Sequence, residues 1–449
     1  MRILVINGSP KGENSITLQT IRYIEKRCPQ HSLEVLHAGQ RIKSLEKDFE
    51  PARRMLESAE LLLFAYPVYT FIAPSQLHRF IELMKESGVK LQGRYAAQLT
   101  TSKHFYDVTA HRYVQDNCQD MGMKYIGGLS ADMDDLLDEK GRKDALAFMD
   151  YVQMCMEKDL YEPFPPVHAS AARMPVTAVQ EDEQEKTGDV VIVTDCGEDD
   201  AQLAAMIARL RAVLPLSSRV VNIGQYPFTG GCLGCFGCAV TGKCVYKDGF
   251  DEYLRNGIQT AQAIVYAFTI RDHSMGARFK LYDDRQFCNG HRTVTMGMPM
   301  GYLVSGAYSQ EMNLRMIIEG RAQVGGNFLA GVATDETDPD REIDRLAASL
   351  TYALESRYQP PQNFYGVGGM KIFRDLIYIM RGMMKADHAF YKAHGQYDFP
   401  QKQWKTILKM QLVGLLLASP AIKGRMGDAM TKGMLAPYQK VIDGADGEA

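Results

Sequence analysis

The chain has 449 residues, room for roughly two or three ordinary domains, each long enough to bury its own core. Hydrophobic residues make up 46% and charged residues 23%, a globular balance that argues against general disorder. The net charge of -3 offers no electrostatic case for nucleic acid as a partner. The sequence runs from Met1 straight into the apolar Ile3–Ile6, without the basic region and cleavage site of a signal peptide. The nearest approach to a membrane span, Met410 to Ala418, falls short of the roughly 18–20 residues required. A cytoplasmic protein without a transmembrane segment is the expectation.

The first segment alternates short apolar runs with helical patterns. Strands are expected over 3–6, 33–36, 61–64, 96–100 and 125–129, and helices over 17–26, 74–86 and 145–157. Continuous apolar strands between helices indicate a parallel sheet covered on both faces, and five of them suit the order 2-1-3-4-5. A break follows: three prolines lie in 161–166, and 181–186 is almost all charged, the composition of an exposed linker. The plan then restarts, with strands over 190–193, 220–223, 263–268, 293–296 and 328–332 and helices over 201–213 and 341–356, a further helix ending near Asp284. The expected organisation is a domain at 1–160, a linker at 161–187, a second domain at 188–358 and a helical extension at 359–449. In that extension Ile372, Leu376, Ile379 and Met383 recur at helical spacing, which suits either packing on the domains or a lid or partner surface.

Two loops carry the chemistry. After the first strand comes Asn7-Gly8-Ser9-Pro10-Lys11-Gly12-Glu13-Asn14-Ser15-Ile16-Thr17. Hydroxyls of Ser9, Ser15 and Thr17, with the free amides of a helix start, suit a phosphate dianion; an ordinary strand–helix loop with a serine cap has a similar composition. In the second segment, Cys232, Cys235, Cys238 and Cys244 fall at C-x2-C-x2-C-x5-C, with glycines at 231, 234, 237 and 242. Soft thiolates suit an iron–sulfur cluster or zinc. Two consecutive x2 spacings wrap one loop around a cubane, whereas structural zinc more often uses two separated pairs. The remaining cysteines, Cys28, Cys118, Cys155, Cys196 and Cys288, are scattered and read as buried small hydrophobes.

Gly8-Ser9-Pro10 with Asn14, Ser15 and Thr17 resembles the phosphate loop of NAD(P)H-dependent FMN reductases in the flavodoxin-like superfamily. Tyr66-Pro67-Val68-Tyr69, after the third strand, is similar to that family's isoalloxazine loop, and Thr100, Thr101 and Ser102 stand where its third flavin loop would be. The cysteine loop, followed by Asp248, resembles that of the iron–sulfur flavoproteins of anaerobic microbes, in which the cluster of one subunit faces the FMN of another. The resemblance implies two tandem flavodoxin-like, doubly wound α/β domains with parallel five-stranded sheets. FMN would be held by the three loops, including Lys11, and a [4Fe–4S] cluster by the four cysteines.

The two segments differ in what they retain. The second segment's counterpart of the phosphate loop, Thr194-Asp195-Cys196-Gly197-Glu198-Asp199-Asp200, carries four carboxylates that would repel a phosphate. Its counterpart of the isoalloxazine loop, Phe268-Thr269-Ile270-Arg271, lacks the proline and tyrosine. Flavin in one half and cluster in the other is the expectation. Electrons would pass from ferredoxin or NAD(P)H through the cluster and FMN to a small organic substrate. An NAD(P)H-dependent FMN or quinone reductase with an auxiliary cluster, and a non-catalytic carrier or redox sensor, are the alternatives; a homodimer is compatible with any of them. His104 is the candidate proton donor, and Lys103, Arg271 and His273 are further polar groups expected near a pocket. Gly366-Val367-Gly368-Gly369 follows no clear strand and is weak evidence for a nucleotide loop.

Overall fold

The computed structural model describes residues 1–166, 172–180, 185–417 and 435. Most of the charged run 181–186 and the end of the helical extension therefore lie outside the described residues. Strands β1 (Arg2–Asn7), β2 (Ser32–Leu36), β3 (Leu61–Pro67), β4 (Tyr95–Ser102) and β5 (Lys124–Asp132) alternate with the principal helices α1 (Ile16–Arg27), α2 (Ser75–Glu86), α3 (Asp107–Asp120) and α4 (Glu139–Glu157). The second set comprises β6 (Thr187–Thr194), β7 (Leu216–Asn222), β8 (Ala263–Thr269), β9 (Pro299–Ser305) and β10 (Phe328–Thr334). Its helices are α5 (Ala201–Val213), α6 (Gly276–Arg285), α7 (Met312–Gly325) and α8 (Pro339–Ser356). Beyond them come α9 (Phe364–Ile379), α10 (Lys385–Ala393) and α11 (Trp404–Leu417).

The strand order is β2-β1-β3-β4-β5 in one sheet and β10-β9-β8-β6-β7 in the other. Both are the flavodoxin-like order, and every pairing is parallel. The central strands are apolar without alternation because both faces are covered: Ile3–Ile6, Leu61–Tyr66 and Val190–Val193 are all buried. One strand lies elsewhere than the sequence pattern suggests. Residues 293–296 form a turn, and β9 is Pro299–Ser305. The β-branched Thr293-Val294-Thr295 stops at Gly297 (φ 90), whereas Met300-Gly-Tyr-Leu-Val304 is the apolar run that two covered faces require.

The chain divides into two compact units, Met1–Phe390 and Tyr391–Ala449. Both sheets and α9 belong to the first. In α9, a Cβ at Gly366 would stand 2.7 Å from the Gln323 carbonyl and one at Gly369 2.7 Å from Val324 Cγ2. These glycines let α9 approach α7 closely; they are not a nucleotide loop. In the second unit the rings of Tyr397 and Phe399 stack at 5.8 Å. Among the described residues no helix is long and apolar enough to cross a membrane.

The two sheet units join through matched turns after β3 and β8. Thr70 and Phe71 (φ 43 and 72) and Asp272 and His273 (φ 50 and 62) are consecutive left-handed residues. Each pair is closed by a bridge, Tyr69 to Ile72 and Arg271 to Ser274. Such backbone is costly for residues with a Cβ, and each turn is held by the opposite half. The fully buried Lys280 ammonium donates to the Tyr69 carbonyl at 3.0 Å and to Asp283 at 3.0 Å, and also bonds Thr70 and Asp284. Arg321 donates to the Thr70 carbonyl at 2.9 Å. Reciprocally, Lys85 donates to Asp272 at 2.8 Å, and the Asn117 amide to the Asp272 carbonyl at 3.2 Å.

His273 lies between Asp120 and Glu311, 3.0 Å from each. It therefore belongs to the junction and not to a pocket. Burial by itself would lower its pKa, but the two carboxylates outweigh that and raise it to about 10. A group raised above its unfolded value of 6.5 contributes stability that is complete below that pH and is lost as pH climbs through about 10. Denaturant unfolding at pH 6.5, 8 and 10 should show this decline in the parent protein. His273→Gln should flatten it; an identical slope in the variant would assign the decline to other groups.

Candidate functional site

A cavity of about 400 Å³ lies in the first compact unit, and its walls come from both sheet units. Of the residues expected to hold a flavin, Ser9, Lys11, Ser15, Thr17, Pro67, Val68, Tyr69, Thr101 and Ser102 line it. They arrive together because all three loops leave the carboxyl ends of adjacent strands, the switch-point geometry of open α/β sheets. Ser15 is the N-cap of α1, yet its side chain makes no capping bond. Ser15 thus leaves the first amides of that helix uncapped, and uncapped amides at a helix start are the feature that anions favour. The Thr17 and Thr101 hydroxyls lie 2.6 Å apart and tie the first loop to the third.

Other expected residues stand elsewhere. Tyr66 is fully buried, its hydroxyl 2.5 Å from Gln98 Oε1 and 2.9 Å from the Ala110 carbonyl. Thr100 Oγ1 is 2.8 Å from His111 Nε2, beneath the cavity. Pro10 is buried in its loop and Asn14 is exposed; neither lines the cavity. His104 lies outside it, about half-exposed, with Nδ1 3.0 Å from Asp107. Lys103 is on the wall, paired with Asp132 at 2.7 Å and Asp134 at 2.8 Å. Arg271 is exposed and acts on Asp195 of its own half.

All four loop cysteines line the same cavity. Their loop turns through left-handed residues at Gly234 (φ 60), Phe236 (φ 61) and Gly242 (φ 78). The Gly234 amide donates to Cys232 Sγ at 3.4 Å, the kind of N–H···S bond that steadies a ligating thiolate. Burial raises the Cys232 and Cys238 thiols, the latter to about 11, and the neighbouring cysteines add to the effect. These sulfurs therefore lie within electrostatic reach of one another. Among the described residues no three Cys, His, Asp or Glu side chains are already gathered as a metal cage. The loop sets four thiols along the cavity, with glycines between them and the Gly234 amide directed at sulfur.

Sequence patterns did not reveal that the cysteine loop of the second half rests on the loop after β3 and the start of α2. A Cβ at Gly234 would fall 1.9 Å from the Tyr69 hydroxyl, and one at Gly231 2.5 Å from Ser75 Oγ. Gln76 donates to the Cys232 carbonyl at 3.2 Å, and Lys43 to that of Thr229. The buried pair of Arg285 and Asp248, 2.7 Å apart, anchors the loop from behind; Arg285 also donates to the Gly230 carbonyl at 2.9 Å.

The equivalent place in the second half is filled by the protein itself. Asp200 caps α5 through the Leu203 amide at 3.2 Å and accepts from Thr269. Asp195, with its pKa raised to about 6 by burial, stands beside it. A phosphate would meet carboxylates where Ser15 stands in the first half.

Residues 1–133 match the family model described as NADPH-dependent FMN reductase. The chain is 29% identical over 173 residues to an iron-sulfur flavoprotein of Archaeoglobus fulgidus, covering 36% of this chain and 78% of that relative. Among solved structures it is similar to an NADPH-quinone reductase from P. pentosaceus (16% identity, TM-score 0.28, 34% of this chain and 97% of that one). It is also similar to an FMN-dependent NADH-azoreductase from Bacillus anthracis in complex with FMN (13% identity, TM-score 0.27, 35% and 97%). Residues 1–133 thus match a family model of flavin-dependent reductases, and a stretch of 173 residues is similar to an iron–sulfur flavoprotein.

The contact between the two loops makes a prediction. Gly234→Ala places a methyl group against Tyr69 in a left-handed backbone, which should cost at least about 1 kcal/mol. Removing the hydroxyl with Tyr69→Phe should recover part of that loss. A denaturant double-mutant cycle reads the coupling, and strictly additive effects would count against the contact.

Proposed function

We propose that this chain is an oxidoreductase that binds FMN in its first half and a [4Fe–4S] cluster in its second, and that it reduces a small organic substrate in the cavity between them. The observation that carries this reading is the shared wall: the phosphate-loop serines, Tyr69 and all four loop cysteines border one cavity. FMN when bound supplies hydride chemistry, and a cluster supplies one-electron transfer.

The chain's own residues have separable tasks. Ser9, Ser15 and Lys11, with the amides that open α1, would hold the phosphate; Pro67, Val68 and Tyr69 would border the ring, and Thr101 and Ser102 would close the third side. Cys232, Cys235, Cys238 and Cys244 would hold the cluster, with Gly234 giving its amide to sulfur. Tyr69, packed on Gly234, would stand where the residues that hold the two groups meet. Carboxylates at the corresponding helix start in the second half favour one flavin per chain.

Anaerobic purification followed by flavin, iron and sulfide analysis tests the reading. The parent protein should hold about one FMN and four irons per chain. Ser9→Ala with Ser15→Ala should lower flavin content and leave iron in place; Cys232→Ser should do the reverse. Colourless, iron-free parent protein would end the proposal. Stopped-flow reduction by ferredoxin against NADPH then identifies the donor.

A further inference from the structure

The cations on the cavity wall are unequally satisfied. Lys103 is paired at 2.7 and 2.8 Å, Arg285 is bidentate to Asp248 at 2.7 and 2.8 Å, and Arg321 reaches Asp283 at 2.6 Å. Lys11 belongs to the phosphate loop. Arg292 differs: its side chain is only 10% exposed, yet its contacts are all long. They are 3.5 Å to Asp387, 3.5 Å to the Cys238 carbonyl and 3.4 Å to the Cys288 carbonyl. The stronger bonds of Asp387 go to His291, from its backbone amide at 3.1 Å and its ring Nδ1 at 3.0 Å. A planar fork of five donors, nearly dehydrated and without a partner at normal hydrogen-bond distance, is poised for an incoming carboxylate.

The surroundings define the rest of the ligand. Phe373 of α9 packs on Phe105 at 4.3 Å and on His291 at 5.0 Å, and Phe287 lies 6.0 Å from the same imidazole. These rings border the cavity beside Arg292 and favour a flat, apolar body. The guanidinium sets the head group: its two parallel N–H donors match the two oxygens of a carboxylate.

We propose that Arg292 anchors a substrate subsite for a flat aromatic molecule bearing a single carboxylate, with Asp387 and His291 as positioning residues. This rests on the functional reading above, whose cavity it shares, and assigns that cavity a ligand class.

Equilibrium dialysis of the full-length, FMN-loaded protein with 2-naphthoate and its neutral counterpart 2-naphthylmethanol tests it. The parent protein should bind the carboxylate at least about tenfold more tightly, the scale of one charge-assisted bidentate contact. Arg292→Gln should abolish that preference while leaving the neutral ligand's affinity and the flavin content unchanged, and Arg292→Lys should keep part of it. Equal affinities in the parent protein, an undiminished preference in Arg292→Gln, or release of FMN by naphthoate would each overturn the proposal. If Arg292→Gln does not fold, the comparison of the two ligands on the parent protein and Arg292→Lys decides. Flavin content separates the two ideas: a preparation that takes up no FMN defeats the functional reading, whereas equal affinities of the two ligands on FMN-loaded protein defeat only the assignment of Arg292.

Discussion

A lysine ammonium without contact to water holds the two halves in register. Lys280 lies among the Tyr69 carbonyl, the Thr70 hydroxyl and the carboxylates of Asp283 and Asp284. Burying such a charge is tolerable only when its partners are complete, and the partners here come from both halves. The network therefore forms only when α6 seats against the turn after β3. The same bonds compensate the left-handed backbone at Thr70 and Phe71, so the loop that would border the flavin ring is shaped by residues about two hundred positions downstream.

The reciprocal arrangement on the other side, with Lys85, Asn117 and His273, gives the junction an approximate two-fold character. The symmetry is one of backbone and not of chemistry. At the two helix starts that could receive a phosphate, Ser15 leaves its helix uncapped whereas Asp200 caps its own. A carboxylate there satisfies the helix electrostatically as an anion would. The second half retains the fold of a ligand-binding unit with the anion built in. The cysteine loop after β7 reaches across instead to the first half's Tyr69 and α2.

Elements with unbroken apolar runs were legible in the sequence, because a strand covered on both faces must be apolar throughout. The phosphate loop and the cysteine spacing were legible for a similar reason: their local chemistry leaves few alternatives. Helices α3 and α7 were not. They bury Asp116, Asn117 and Asn313 alongside apolar residues, since each faces the opposite half, and this blurs the helical period. Thr293–Met296 was misleading because the strand propensity of β-branched residues yields to tertiary context, here a turn through Gly297 (φ 90). Tyr66 and His273, both polar and both near candidate loops, proved to be structural, one bonded to Gln98 and the Ala110 carbonyl and the other across the junction.

The sequence by itself determined the doubly wound plan of each half, the anion-receptive loop at Ser9–Ser15 and the sulfur-rich loop at Cys232–Cys244, because each depends on residues close together in the chain. Only the tertiary structure decided that these two loops face one cavity, that Tyr69 rests on Gly234, and that Arg292 stands on the wall without a close partner. Those facts depend on how α6 and α7 pack against α2 and α3, and packing between distant segments is set by the complementarity of whole surfaces, which no local pattern encodes.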